Sequence, residues 1–246
     1  MLSLVWCNVL LLTEADQYRQ RYKMRRAIAA SFRVFLRTAR LAGVLDYHIE
    51  GASLPPAKQG CLIVANHPTL IDYVLLASVM PDIDCLVKAE LQHNPFIKGV
   101  IRAAGYLQNA QADTLIPEIQ RRLAAGNNIL LFPEGTRTHP GEPLRLLRGA
   151  ANIALRTGCD LCVVHIRCSQ STLSKQNRWY HIPPEKPVFS VTVQPRITNE
   201  NFITGLNDTA KNSADPGTIQ ILNARQLTRH LTQLLTPKNS HPVGNK

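Results

Sequence analysis

The spacing of apolar positions along this chain changes at Gly43. Ahead of it, Ile28, Phe32, Phe35, Leu36 and Ala39 recur at helical intervals, with Arg26, Arg33, Arg37 and Arg40 on the other side. That pattern predicts an amphipathic helix from Met24 onward. Beyond Gly43, short apolar runs alternate with helical stretches, as in a βαβ-type sheet with helices on its faces. Strands are expected at 47–49, 61–65, 85–87, 128–132, 161–166 and 188–193, and helices near 69–78, 114–125, 149–157 and 218–235. Asp113 is suited to cap the second of these helices and Gly126 to end it. The fold class read from this pattern is α/β, a mixed and mostly parallel sheet flanked by helices.

At 246 residues a single core can still fill, so one large domain with extensions is expected. Residues 1–44 form an N-terminal helical segment, 45–200 the α/β domain, and 201–246 a C-terminal helix and polar tail. Residues 1–12 are apolar but shorter than the roughly 20 residues needed to span a bilayer, and read as an interfacial or re-entrant anchor. Positive charge follows this run instead of preceding it, unlike a cleaved signal peptide. Segment 171–187 reads as a long polar, proline-rich loop of the kind that often carries function, with Trp179 and Tyr180 suited either to a lipid interface or to covering the core. The tail from 236 to 246 is polar and expected to be disordered.

The formal charge of +11 suits an anionic partner, whether nucleic acid, lipid headgroups or an acidic protein. Its distribution narrows the choice. Arg19, Arg21, Lys23, Arg25, Arg26, Arg33, Arg37 and Arg40 follow one another with no acidic residue between them. Packing of the helix on its own domain explains the apolar stripe, whereas a membrane surface explains both the stripe and the charge. The expected location is therefore the cytoplasmic face of the inner membrane, as a peripheral or monotopic protein, with membrane lipids as partners and no nucleic acid. Oligomeric state is not legible.

Cys159, Cys162, His165 and Cys168 are each three residues apart, which resembles metal-ligand spacing. They fall on an expected strand, however, where Cys159 and Cys162 point to opposite faces and behave as small hydrophobes. No metal site is expected there.

The run Cys61 to Asp72 reads CLIVANHPTLID. A buried strand ends at Ala65, Asn66 and His67 lie at its carboxyl end, and Pro68 and Thr69 open a helix. Ligands bind at that end of an open α/β sheet. Asp72, in the first helical turn, can reach back to one imidazole nitrogen, fixing the tautomer and leaving the other nitrogen to take a proton. An imidazole so held suits general-base work on an alcohol. The same spacing also fits a histidine at a helix start, with Asp72 complementing the positive end. No serine or cysteine nucleophile accompanies the pair, which favours direct attack by an acceptor hydroxyl over an acyl-enzyme route.

A second strand runs into Phe132-Pro133-Glu134-Gly135-Thr136-Arg137. Backbone N–H groups near Gly135, the Thr136 hydroxyl and the Arg137 guanidinium suit a phosphate cradle. Glu134 would orient Arg137 or hold an acceptor hydroxyl. Taken alone, the string fits an ordinary strand-to-loop turn equally well.

Together, NHPTLID and, about sixty residues later, FPEGTR resemble the lysophospholipid acyltransferase family, which includes glycerol-3-phosphate and 1-acylglycerol-3-phosphate acyltransferases. The match extends through Lys88-Ala89-Glu90-Leu91, Pro95, Gly99, Gly105 and Arg148-Gly149-Ala150, over roughly residues 45–200. The resemblance implies transfer of a fatty acyl group from acyl-CoA or an acidic acyl carrier protein to a lipid hydroxyl of the 1-acylglycerol-3-phosphate type. It further implies His67 as the base, Asp72 as its orienter, and Glu134, Gly135, Thr136 and Arg137 as the acceptor-binding segment. No metal or organic cofactor is implied.

The chain departs from the family at two places. Gln111 stands where phosphatidate-forming members carry an arginine that grips the acceptor phosphate, and a neutral amide cannot replace that clamp. Val163-Val164-His165 stands where a valine-proline pair is common. These departures motivate a second acceptor class, an ornithine-type lipid or specialised glycolipid. A reading of another class is a non-catalytic basic protein that binds lipid or nucleic acid.

Overall fold

A computed structural model of the chain describes residues 17–51, 60–93, 98–109, 112–138, 142–174, 183–200 and 216–236. The apolar run 1–12, Gln111, Trp179, Tyr180 and the tail from 237 lie outside the described residues.

The elements follow the order α1 (Gln17–Leu41), β1 (Asp46–Glu50), β2 (Cys61–Ala65), α2 (Asp72–Val79), β3 (Asp84–Val87), a 3-10 turn (Ala89–His93), α3 (Lys98–Ala104), β4 (Leu107–Gln108), α4 (Ala112–Ala124), β5 (Ile129–Leu131), α5 (Gly149–Thr157), β6 (Asp160–Cys168), β7 (Val188–Val193) and α6 (Pro216–Leu235). Seven strands form one sheet in the order β1-β7-β6-β2-β5-β3-β4. All neighbours pair in parallel except β6 with β7. The expected α/β class with a mixed, mostly parallel sheet is therefore the fold observed.

β2 lies at the centre, and each of its five residues is buried. Its unbroken apolar run follows from cover on both faces. Cys61, Ile63 and Ala65 join a cluster with Leu36 of α1 and Leu75 and Leu76 of α2. Leu62 and Val64 join the opposite cluster, with Ile119 of α4, Ala154 of α5 and Leu227 and Leu231 of α6. Cys162 lies in the first cluster and Cys159 in the second, on opposite sides of the sheet as strand geometry requires.

Most of the α1 stripe serves this core. Ile28 and Leu36 are buried, and Phe32 and Ala39 pack partly buried against it. Phe35 instead is 51% exposed, beside Val34 at 63% and Leu41 at 90%. α1 also carries a buried charge. Arg25 bridges Asp84 at the start of β3 and donates from Nε to the Ala104 carbonyl at 3.1 Å. Arg122 of α4 meets the same Asp84 oxygen at 2.9 Å. Gly126, at φ +86°, follows α4 as expected, whereas Asp113 lies inside the first turn and not at the cap.

Candidate active site

His67 and Asp72 meet where the central strand gives way to α2. The His67 Nδ1 lies 2.8 Å from Asp72 Oδ2. The Thr69 backbone N–H donates to the same oxygen at 2.8 Å, and the Thr69 hydroxyl donates to Oδ1. Asp72 is fully buried. Burial pushes its carboxyl above the ordinary carboxylate range, while hydrogen bonds from His67 and Thr69 pull the other way. The imidazole stacks on Phe132 with centroids 4.3 Å apart and planes inclined by 24°. With Nδ1 turned to a carboxylate, Nε2 is the nitrogen left to exchange a proton.

Glu134 acts on the other side of the histidine. Its Oε1 accepts from the His67 backbone N–H at 2.6 Å, and its Oε2 meets the Thr138 hydroxyl. The Thr138 N–H donates in turn to the His67 carbonyl at 3.1 Å. Glu134 thus ties the two motifs together, one carboxyl holding the main chain of His67 while another holds its ring. Burial pushes the Glu134 carboxyl up to about 7. Both carboxyl oxygens accept, Oε1 from the His67 N–H and Oε2 from the Thr138 hydroxyl, and the bond from His67 opposes the upward shift without overcoming burial.

The sign of the pH effect follows from that shift. A carboxyl whose folded value exceeds its unfolded value stabilises the native state when protonated, so its contribution is complete below about 4.5 and lost as pH rises through about 7. Glu134→Gln, which keeps the acceptor for the His67 N–H and turns an amide donor towards the rotatable Thr138 hydroxyl, is expected to fold normally and to flatten the fall in melting temperature between pH 5 and 7. Glu134→Ala leaves the His67 N–H without its acceptor and is expected to cost about 1–3 kcal/mol in denaturant unfolding.

Gly135 and Arg137 turn out to be tied into the scaffold. Gly135, at φ +68°, donates its N–H to the Phe132 carbonyl at 3.1 Å, and a Cβ there would meet Leu147 Cδ1 at 2.7 Å. The left-handed backbone favours glycine here, whereas the exposed Leu147 side chain can give way. Thr136 is exposed. The Arg137 Nη1 donates to the carbonyls of Leu173 at 2.9 Å and Ser174 at 3.2 Å. Leu173 has φ +52°, a backbone region uncommon for leucine, and its carbonyl also accepts from the Leu70 N–H at 3.0 Å. Arg137 therefore fastens the turn at 171–174 over both motifs.

Sequence reasoning passed over several residues that build this site. Asn66 forms a two-way clasp with the main chain of Ile166, donating from Nδ2 at 2.8 Å and accepting at Oδ1 from the N–H at 2.7 Å. That clasp anchors the end of β2 to its neighbour β6. Phe132, Thr138 and Leu173 are the others. Asn66 and Phe132 carried a signal, as the first residues of the two motifs, but their partners did not.

Comparison with known proteins agrees with this architecture. The Acyltransferase family model matches residues 46–168. A lyso-ornithine lipid O-acyltransferase from Pseudomonas aeruginosa is 35% identical over 117 residues, covering 45% of this chain and 43% of that protein. A 1-acyl-sn-glycerol-3-phosphate acyltransferase alpha from Mus musculus is 25% identical over 193 residues, covering 74% of this chain and 66% of that protein. The match thus spans less than two thirds of each relative's own length. The crystal structure of the 1-acyl-sn-glycerophosphate (LPA) acyltransferase PlsC from Thermotoga maritima shares the fold, with a TM-score of 0.62 at 20% identity, over 96% of this chain and 91% of that one.

Proposed function

The chain belongs to the acyltransferase family, and from that premise we propose that it moves a fatty acyl group from a thioester onto the hydroxyl of a membrane lysolipid. The observation that carries this reading is the His67–Asp72 pair at the carboxyl end of the central strand, with a buried carboxylate fixing the imidazole. His67 Nε2 takes the proton of the acceptor hydroxyl as its oxygen attacks the thioester carbonyl. The tetrahedral adduct then collapses, the C–S bond breaks, and the departing thiolate receives the proton from His67. The products are an ester and a free thiol. The step balances with the two substrates alone and calls on no metal or organic cofactor.

The donor is an acyl thioester of CoA or of an acyl carrier protein, and the acceptor is of the 1-acylglycerol-3-phosphate type. In this reading Arg137 turns part of its guanidinium to the acceptor phosphate, since that group has five N–H donors and the Leu173 and Ser174 carbonyls engage only Nη1. A second acceptor class, a lyso-ornithine lipid, is favoured by the 35% identical relative and by Gln111 in place of a cationic clamp. Products from a panel of both lysolipids, each offered with acyl-CoA and with acyl carrier protein, are to be read by mass spectrometry. Arg137→Ala is expected to lower kcat/KM for the phosphate-bearing acceptor by about 10- to 100-fold, the loss of one charged hydrogen bond, and to affect a lyso-ornithine acceptor less. Equal loss on both acceptors would mean that Arg137 serves the 171–174 turn alone.

The protein is further read as working at the cytoplasmic face of the inner membrane. The charge of +11 and the exposed apolar residues Val34, Phe35, Leu41 and Val44 support that reading. Among the described residues no helix is long and apolar enough to cross a membrane, which suits a peripheral or monotopic attachment.

A further inference from the structure

A second concave site opens beside the edge strand β4, where Gly105 turns the chain out of α3. It is a pocket of about 510 Å³, and Arg21, Lys98, Arg102 and Arg122 line it together with Tyr106 and Gln108. Gly105 and Arg122 precede β4 and β5, both part of the block of strands parallel to β2. The pocket therefore lies towards the amino-terminal end of those strands, whereas His67 follows the carboxyl end of β2. Tyr106, which lines the pocket, pairs through its hydroxyl with the partly buried Tyr73, the residue after Asp72.

Four cations meet here, and among the described residues no carboxylate lines the pocket. The two nearby carboxylates are already engaged. Asp84 is bridged by Arg25 and Arg122, and Glu118 by Arg121 and Arg122. Burial, and then the adjacent Arg122, push the Arg21 guanidinium below its usual value, while Glu118 and Asp84 oppose them. Arg21 is also seated closely, since its Cδ and Nε lie 2.6 Å from where a Cβ on Gly105 would stand. An anion entering this pocket would meet Arg21, Lys98 and Arg102, with Arg122 behind them already bridged to Asp84 and Glu118.

The surroundings indicate which anion. Tyr18 and Tyr22, on the same turns of α1 as Arg21, are 58% and 41% exposed. Arg26 stacks over the Tyr22 ring and donates to its hydroxyl at 2.8 Å. Exposed tyrosines among arginines are typical of a membrane–water interface, and the apolar residues 1–12 precede them in the sequence. We propose that this pocket binds the phosphate of an anionic membrane lipid, a headgroup site separate from the one at His67. The proposal rests on the membrane-surface reading given above.

The test is co-flotation of the full chain with vesicles of phosphatidylcholine alone or with phosphatidylglycerol added. The exposed pair Lys98→Glu/Arg102→Glu is compared with Arg225→Glu/Arg229→Glu, an equal charge change on exposed positions of α6. Thermal unfolding confirms that both variants remain folded. Wild type is expected to bind the anionic vesicles at least about tenfold tighter than the neutral ones, the pocket variant to lose most of that preference, and the α6 variant to keep it. Equal losses in the two variants would mean diffuse attraction and overturn the pocket. Equal wild-type binding to both compositions would overturn it too while leaving the membrane reading intact, and wild-type binding to neither would remove both. Titration with CoA and dephospho-CoA separates the other phosphate source. A tenfold loss of CoA affinity in the pocket variant, with vesicle preference unchanged, would assign the pocket to the donor and overturn the lipid.

Discussion

His67→Ala is expected to lower the turnover of acyl transfer by about 10²- to 10⁴-fold, the range for loss of a positioned general base. The fall should appear in kcat, because in the proposed mechanism the imidazole acts on the proton in flight and contributes little to holding the lysolipid. Folding should survive, since the ring is partly exposed and leans on Phe132 instead of filling the core. Asp72→Asn is expected to lose activity over a similar range for another reason. Asp72 accepts from the His67 ring, the Thr69 N–H and the Thr69 hydroxyl, and an amide offers only one acceptor atom in place of two. Its NH2 must therefore confront a donor, and where that donor is Nδ1–H the imidazole is pushed into the wrong tautomer. Single-turnover assays with a labelled thioester would read both variants. Unchanged transfer in His67→Ala would show that the base lies elsewhere, and a non-catalytic lipid-binding role would then gain ground.

The largest expected effect on stability lies at Arg25. Asp84 is fully buried, and Arg25 and Arg122 converge on its Oδ1. Arg25→Leu leaves a buried carboxylate with a single guanidinium and is expected to cost about 3–5 kcal/mol in denaturant unfolding. The pH dependence distinguishes this cause from lost packing. Burial already pushes the Asp84 carboxyl above its ordinary value, and Arg25 is the leading influence that opposes it. Without Arg25 the shift grows, so the protonated form is favoured more strongly in the folded state. The variant should therefore lose stability relative to wild type as pH rises from the unfolded carboxylate value, and recover part of it in acid. A deficit that stayed constant with pH would point to the missing side-chain volume.

Local signals carried much of the fold. β2 was legible because cover on both faces leaves an unbroken apolar run, and α6 because Ala224, Leu227, Leu231 and Leu235 repeat at helical spacing. α3, β4 and the 3-10 turn at Ala89–His93 were not assigned, since seven, two and five residues hold too little periodicity to rise above their neighbours. The reversal of β7 left only an indirect trace. A parallel return needs a crossover, usually helical, and the polar, proline-rich stretch ahead of Val188 had no helical pattern.

The site divides along the same line. His67 and Asp72 lie five residues apart, within one strand-to-helix turn, so their meeting could be anticipated. Glu134 reaches His67 across 67 positions, and Arg137 reaches Leu173 across 36. Their motif was recognisable while their partners were not, because those partners are set by sheet order. The buried Arg25–Asp84 bridge escaped for that reason, and spacing alone did not tell which residues of the α1 stripe face the core and which, like Phe35, stay exposed.

The clasp of His67 between two carboxyls has a bearing on how such a scaffold diversifies. Its ring is set from within its own turn by Asp72, and its main chain from the neighbouring strand by Glu134. Neither anchor draws on Gln111, where the family resemblance expects an acceptor clamp, or on the turn at 171–174. Under the proposed mechanism, a lineage could rewrite those positions, one substitution at a time, with the aim of the proposed base unchanged. Acceptor choice and bond-making become separately heritable traits of one small domain.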